Sequence, residues 1–413
     1  MKKLSKTISV VLSLSLLLLL ADGCHNSSSQ VNKINDTEVE ITDKAEFDRS
    51  ESMNINHAEK AHILFDKINE LYLIKGQNLF LEHFPQQESD RAVSYLWPFS
   101  AVLSAVNALG KYQLPQNKEV YLQNLNHIMT GLEKYYDKLR EPPAYQAYPY
   151  DFGGDDRFYD DNMWIGIDFY EAYKLTNDKI YLDKSERIFD FVKSGWSDEL
   201  GGGIYWCEQK KDTKNTCSNG PAAVLALKLY EATGEKEYLD WGLKIYNWTK
   251  KNLQAPDGNY WDNINLSGQT DETKYTYNSG TMLNSAVLLY DFTKDQKYLE
   301  EARRVAEASL QYFTTEKSDG KRFFEAGNPW FAAILFRGYL ALFEADKNDI
   351  YIKTVIDNVD YAWLNARDQY GLIGADWSGQ TLKDDAKSLL DEACMVEFYA
   401  SIAVWERQHN NIK

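Results

Sequence analysis

Histidine, cysteine and positive charge are all scarce in this chain. Six His and four Cys are spread over 413 residues. Three of the His (His25, His57 and His409) lie near the ends, and no Cys or His spacing resembles a zinc site. No G-x-S-x-G occurs, which leaves a Ser-His-Asp hydrolase without support. No metal and no cofactor is expected. Acids exceed bases by 62 to 45, a formal net charge of −17. A surface of that sign repels phosphate backbones, so nucleic acid is excluded as an expected partner.

Long apolar runs are missing too, except at the start. Met1-Lys2-Lys3 and Lys6 precede the apolar stretch Ile8 to Leu20, and Ala21-Asp22-Gly23-Cys24 follows. The pattern reads as a bacterial lipoprotein signal over residues 1–23, cut before Cys24, whose sulfur takes the lipid. Asp22 is its one untidy position. The run is shorter than the roughly 20 residues of a membrane span. Residues 24–55 are polar and read as a flexible tether. These features predict a lipid-anchored protein of the cell envelope, at the outer membrane, facing the periplasm or the surface. Cys207 and Cys217 flank the polar interval Glu208 to Thr216. In an oxidising compartment they are expected to form a disulfide. Cys394 falls in a helical pattern and is expected as a buried thiol.

What the chain does have is aromatic surface and a repeat. It carries 11 Trp and 28 Tyr; such rings fill cores and also stack on sugar faces. The stretches Tyr173 to Leu182, Tyr230 to Leu239, Tyr290 to Leu299 and Phe343 to Ile352 are copies of one another, and Tyr121-Leu122 starts an earlier one. The anchors Tyr121, Tyr181, Tyr238, Tyr298 and Tyr351 recur every 53 to 60 residues. Each unit reads as helix, short polar turn, helix, long loop. After each anchor, small or apolar residues follow at helical spacing, as at Ser185 and Ile188 or Ala302 and Val305. The helices before the anchors, such as Pro221 to Tyr230, are apolar around most of their girth and are expected to be buried. The helices near His57–Phe84 and Leu389–Arg407 supply a sixth pair. An all-α (α/α)6 barrel of six helix hairpins over residues 56–413 is the predicted fold, favoured over an open solenoid because neither end shows a polar capping repeat.

In a closed ring the polar starts of the inner helices gather at one end: Asp160-Asp161-Asn162, Ser218-Asn219-Gly220, Tyr277-Asn278-Ser279 and Asn328-Pro329-Trp330. Between them run loops carrying Gly201-Gly202-Gly203-Ile204-Tyr205-Trp206, Asp257 to Asp262 and Gly371 to Trp377. Asp160-Asp161 carries two readings. Acids in a first helical turn favour the macrodipole and cap the helix. An adjacent pair at a loop-to-helix junction also suits the carboxyl spacing of about 5–5.5 Å that retaining glycosidases use. For Asn219 and Asn278, capping stands beside substrate contact in the same way.

The ordered set Tyr159-Asp160-Asp161-Asn162-Met163-Trp164, Ala172 to Thr176, Gly201 to Trp206, Ser218 to Ala223 and Tyr277 to Thr281 resembles glycoside hydrolase family 76, over roughly residues 60–405. The resemblance implies a retaining, endo-acting α-1,6-mannanase, with Asp160 as nucleophile and Asp161 as general acid/base. It implies α-mannan polysaccharide or oligosaccharides as the partner and a monomeric enzyme held to the membrane by its lipid. Trp164, Tyr205, Trp206, Asn219, Asp262, Tyr277, Asn278 and Trp330 are the expected substrate-binding residues. Met163 and Ile165 depart from the pattern, which bears on subsite contacts and not on the carboxyl pair. The alternatives are another (α/α)6 sugar-active enzyme, or a glycan-binding lipoprotein without turnover.

Overall fold

The computed structural model of the protein describes residues 55–114, 116–325, 327–380 and 385–409. The expected signal, the lipidated Cys24 and the tether up to residue 54 lie outside them. Among the described residues no helix is long and apolar enough to cross a membrane.

The repeat emerges as twelve helices among the described residues. They are α1 (His57–Leu71), α2 (Leu96–Gln113), α3 (Lys118–Leu132), α4 (Tyr159–Thr176), α5 (Lys179–Ser194), α6 (Thr216–Thr233), α7 (Lys236–Leu253), α8 (Thr276–Thr293), α9 (Gln296–Phe313), α10 (Pro329–Asp346), α11 (Ile350–Asn365) and α12 (Leu389–His409). The even-numbered helices pack one against the next in the order α2, α4, α6, α8, α10, α12, and α12 packs back on α2. The ring is therefore closed. Outer helices α3, α5, α7 and α9 each lie on the inner helix before them, and α1 lies on α12, so the first and last described helices complete the sixth pair. The expected N-terminal helix is shorter than its sequence suggests. It stops at Leu71, and two short strand pairs follow, because Gly76 and Asn78 adopt left-handed backbone (φ 78° and 55°) that turns the chain.

The two rings differ as their residues dictate. Inner helices are buried almost all round, as in α6, where every residue from Thr216 to Leu227 is buried. Outer helices bury one face: α5 hides Leu182, Ser185, Ile188, Phe189 and Val192. Glycines set the tightest contacts. A Cβ on Gly280 of α8 would lie 2.5 Å from Cα of Leu335 on α10, so a methyl there would push two inner helices apart.

The short turns share one chemistry. Inner helices α4, α6, α8 and α10 end on a left-handed residue: Asn177, Gly234, Lys294 and Lys347. Just before three of these turns, the hydroxyls of Thr176, Thr233 and Thr293 accept the N–H of Asp178, Glu235 and Asp295. Asp178 and Asp295 then cap the outer helices. A compact turn of this kind reverses the chain at the closed end and leaves the long loops to the other end.

Candidate active site

The site grows from the first turns of the inner helices. The second residues of five of them are Trp97, Asp160, Cys217, Tyr277 and Trp330. They touch in sequence around the axis. Trp97 meets Trp330 edge-on at 5.2 Å between ring centroids, and Trp330 meets Tyr277 at 6.2 Å. Tyr277 faces the Cys217 thiol, which faces Asp160. Trp164, one turn further down α4, closes the floor edge-on to Trp330 at 4.9 Å. The result is a cleft with an aromatic floor and carboxylates on one wall.

Asp160 and Asp161 occupy the first turn of α4, where backbone N–H groups have no helical partner. The loop that delivers them is clamped. Arg157 is fully buried; its guanidinium pairs with Glu208, donates to the carbonyl of Pro142 at 2.9 Å, and lies 4.9 Å over the Phe191 ring. Segment Arg157–Tyr159 then pairs with Trp206–Glu208 as a short antiparallel bridge: Tyr159 N–H donates to the Trp206 carbonyl and Glu208 N–H to the Arg157 carbonyl, both at 3.0 Å. This pairing sets Trp206 beside the carboxylates. Its indole Nε1–H donates to Asp160 Oδ2 at 3.1 Å, and the ring remains 37% exposed. Of the four acids around this loop, Asp155 pairs with Arg91 and Asp156 with Lys210, so only Asp160 and Asp161 remain for the cleft.

The two carboxyls hold protons differently. Both are half-buried at the cleft, open to solvent on one side and walled by protein elsewhere. Burial raises Asp160 to about 6, against the opposing pull of the Cys217 thiol, the Trp206 indole and the first-turn N–H groups. Asp161 is pushed well above the ordinary range, first by burial and then by the Asp160 charge. Burial and the neighbouring charge thus push the two carboxyls apart, with Asp161 the better holder of a proton. Asp262, on the strand Trp261–Asn265, adds a third acid. It accepts from Asn263 at 2.9 Å, approaches Asn278, and is raised mainly by burial.

Several expected contacts take other roles. Asn219 is fully buried, and its amide is spent on backbone: Oδ1 accepts from Ile204 N–H at 2.8 Å, and Nδ2 donates to the carbonyls of Ile204 and Asn215. Asn162 does the same for Tyr145 in α4, so this fourth helical position holds the incoming loop and not a ligand. Tyr205 also faces away. Side chains alternate along an extended segment, so placing Trp206 at Asp160 turns Tyr205 to the opposite side, where its hydroxyl binds Glu199 and Ser197. Asn278 is wholly buried behind Asp262. Trp164, Tyr277 and Trp330 are buried floor. Trp97 and Phe331 belong to the same floor and were not anticipated; their place in the first turn of an inner helix was the available signal. The expected Cys207–Cys217 disulfide is absent: both thiols are free. Cys207 lies on the loop bridge near Asp156 and Gln209, whereas Cys217 points from α6 toward Asp160, and these separate partners hold the sulfurs apart. Among the described residues no group of three or more His, Cys, Asp or Glu is arranged to hold a metal ion.

Comparison with known proteins agrees with this geometry. The sequence pattern of Glycosyl hydrolase family 76 matches residues 57–410. A crystal structure of a family 76 glycoside hydrolase from a bovine Bacteroides thetaiotaomicron strain shares 32% identity and a TM-score of 0.80, over 86% of this chain and 79% of that one. An inactive variant of an α-1,6-mannanase from Salegentibacter sp. HEL1_6, with two consecutive aspartates changed to asparagine and in complex with α-1,6-mannotriose, shares 26% identity and a TM-score of 0.71 over 84% of this chain and 99% of that one. Among curated relatives, the mannan endo-1,6-alpha-mannosidase DCW1 of Saccharomyces cerevisiae is 30% identical over 148 residues, which is 33% of each chain. The match thus spans about a third of that relative's length.

Proposed function

The chain belongs to glycosyl hydrolase family 76, and from that premise we propose that it is a retaining α-1,6-mannanase that cuts within mannan chains. The observation that carries the reading is the Asp160–Asp161 pair on the cleft wall, with the Trp206 N–H on Asp160 and Asp161 held above the usual carboxyl range by burial and the Asp160 charge. Relatives named for endo-1,6-α-mannosidase activity, and one solved with α-1,6-mannotriose, support the substrate.

In the first step a carboxylate oxygen of Asp160 attacks the anomeric carbon as the bond to the leaving oxygen breaks. Asp161 gives its proton to that oxygen, and a glycosyl ester forms on Asp160. Asp161, now a carboxylate, takes a proton from water; the water oxygen attacks the same carbon and frees Asp160. The donors around Asp160 keep the nucleophile ionised, while the buried position and the Asp160 charge keep the acid protonated. Trp206, exposed beside Asp160, and half-buried Trp97 offer ring surface to sugar C–H faces, above the buried packing of Trp164, Tyr277 and Trp330. A lipid on Cys24 would hold this cleft at the cell envelope, where mannan is met.

Asp160→Ala and Asp161→Ala, assayed on unbranched α-1,6-mannan, test the reading. Each should lower kcat by about a thousandfold or more. Azide with an activated substrate should restore turnover in Asp161→Ala, giving a glycosyl azide of retained configuration. Full activity in either variant would remove that residue from its role. Binding of mannan without turnover by the native protein would favour a glycan-binding lipoprotein instead.

A further inference from the structure

The fourth residue of an inner helix has a recurring task in this fold. In α4 it is Asn162, whose Oδ1 accepts the N–H of Tyr145 while Nδ2 donates to the carbonyls of Tyr145 and Phe158, all at 2.8 Å. In α6 it is Asn219, bonded in the same way to Ile204 and Asn215. Each side chain ties an arriving loop to the start of its own helix. An amide suits the task because it accepts and donates at once. In α12 the fourth residue is Glu392, which is fully buried.

Glu392 makes half of the same clamp. Its partner Ile373 corresponds to Ile204. Each forms an isolated antiparallel bridge with the residue two places past an outer helix, Arg367 after α11 and Trp196 after α5. Glu392 Oε1 accepts the Ile373 N–H at 2.7 Å, as Asn219 Oδ1 accepts that of Ile204 at 2.8 Å. Oε2 is left in the part that the amide nitrogen plays. It is buried and meets no donor among the described residues. A carboxylate would keep an unpaired ionised oxygen in the interior, whereas a carboxylic acid supplies the donor that Asn219 supplies in α6.

The charged neighbours agree. Asp391 of α12 and Asp368 and Lys387 of the segment between α11 and α12 face Glu392. Burial first, then the two acids, push its carboxyl well above the usual range, and Lys387 opposes them without prevailing. Tyr72 at the end of α1, and Cys394 and Tyr399 of α12, are the other titratable groups within its field.

We propose that Glu392 is held as a neutral carboxylic acid whose O–H stands in for the amide N–H of Asn162 and Asn219, so that the clamp between α12 and the segment Arg367–Ile373 loosens as pH rises. The inference concerns the fold at the cleft end and does not depend on the substrate. The folded protein binds this proton more tightly than the unfolded chain, in which a glutamate titrates near about 4.3. The stabilisation is therefore fully present below that pH and is lost as pH climbs toward the raised native value.

Glu392→Gln restores an amide at the clamp and removes the proton. Calorimetric melts of the full chain should give it a Tm equal to or above that of the native protein at pH 5, and the gap should widen by about 2 °C or more at pH 9. Hydrogen exchange should find the Ile373 amide equally protected in the two proteins at pH 5 and less protected in the native protein at pH 9. The infrared difference between native protein and Glu392→Gln at pH 7 should contain one carboxylic-acid C=O band. A difference spectrum with a carboxylate band in its place would overturn the proposal, and so would a Tm gap that does not change with pH. A Glu392→Gln protein that fails to fold, or melts below the native protein at both pH values, would mean that the clamp needs the charge, and would overturn it too.

Discussion

The indole N–H of Trp206 donates to Oδ2 of Asp160 at 3.1 Å. The two residues lie at opposite ends of one repeat unit, and the backbone bridge between Arg157–Tyr159 and Trp206–Glu208 brings them together. A donor to the ionised form lowers a carboxyl's pKa, so the indole opposes the burial that on balance raises Asp160 to about 6. Trp206→Phe keeps the ring and removes the donor. The acid limb of the kcat/KM profile should then move to higher pH, and activity near pH 6 should fall more than activity near pH 7. An unmoved acid limb would show that the indole does not tune the nucleophile.

The ring's closing seam should be pH-sensitive. His57 on α1 hydrogen-bonds Asp360 of α11 at 3.1 Å and Glu406 of α12 at 2.9 Å. Burial alone would lower its pKa, but those hydrogen bonds and charges override it, and the net shift is upward. The folded protein therefore binds this proton more tightly than the unfolded chain does. The stabilisation is fully present below about pH 6.5 and is lost as pH climbs through the raised native value. His57→Gln should cost about 2 kcal/mol at pH 6 and less at pH 9, read by urea unfolding. Equal losses at both pH values would contradict the protonated seam.

Two turns carry backbone strain that glycine would relieve. Lys294 and Lys347 sit at φ 56° and 58°, at the repeat position where α6 has Gly234. Lys294→Gly and Lys347→Gly should each stabilise the fold by about 0.5–1 kcal/mol, the relief outweighing the extra freedom of the unfolded chain. In a domain of this size that is a Tm rise of about 1–2 °C by calorimetry. A fall in Tm for both would mean that the lysine stems contribute more than the strain costs.

The cysteines should behave as thiols. Denaturing alkylation of protein purified without reductant, followed by peptide mass analysis, should label both Cys207 and Cys217, and reductant should leave Tm unchanged. A disulfide-linked peptide joining them would overturn the free-thiol geometry.

The ring was legible in the sequence because its repeat is local. Tyr121, Tyr181, Tyr238, Tyr298 and Tyr351 each start an outer helix two to four residues in, and the turn before them is short enough to be conspicuous. The Asp pair was legible for the same reason, since its helix start is continuous in sequence. Direction within the long loops was not. Tyr205 and Trp206 are neighbours of similar type, and only the pairing of Trp206 with Tyr159 decides which of them meets Asp160. Asn219 and Asn278 looked alike as polar helix starts. They differ by one place: Asn278 is the third residue of α8, behind Asp262, while Asn219 is the fourth of α6 and clamps a loop. Trp97 was missed because α2 opens on Leu96 after Tyr95 and has no polar start to mark it. The cysteine spacing was compatible with a bridge, but the helical start at Thr216 turns Cys217 inward, which a spacing argument cannot contain.

The central claim is that Asp160 attacks carbon and Asp161 moves the proton. It is tested most directly by the configuration of the first product. Native protein with unbranched α-1,6-mannan, followed from the first minutes by proton NMR, should release new reducing ends in the α configuration, with the β anomer growing only as mutarotation proceeds. New ends that form first as β, then drift toward α, would mean single displacement by water and would contradict a glycosyl ester on Asp160.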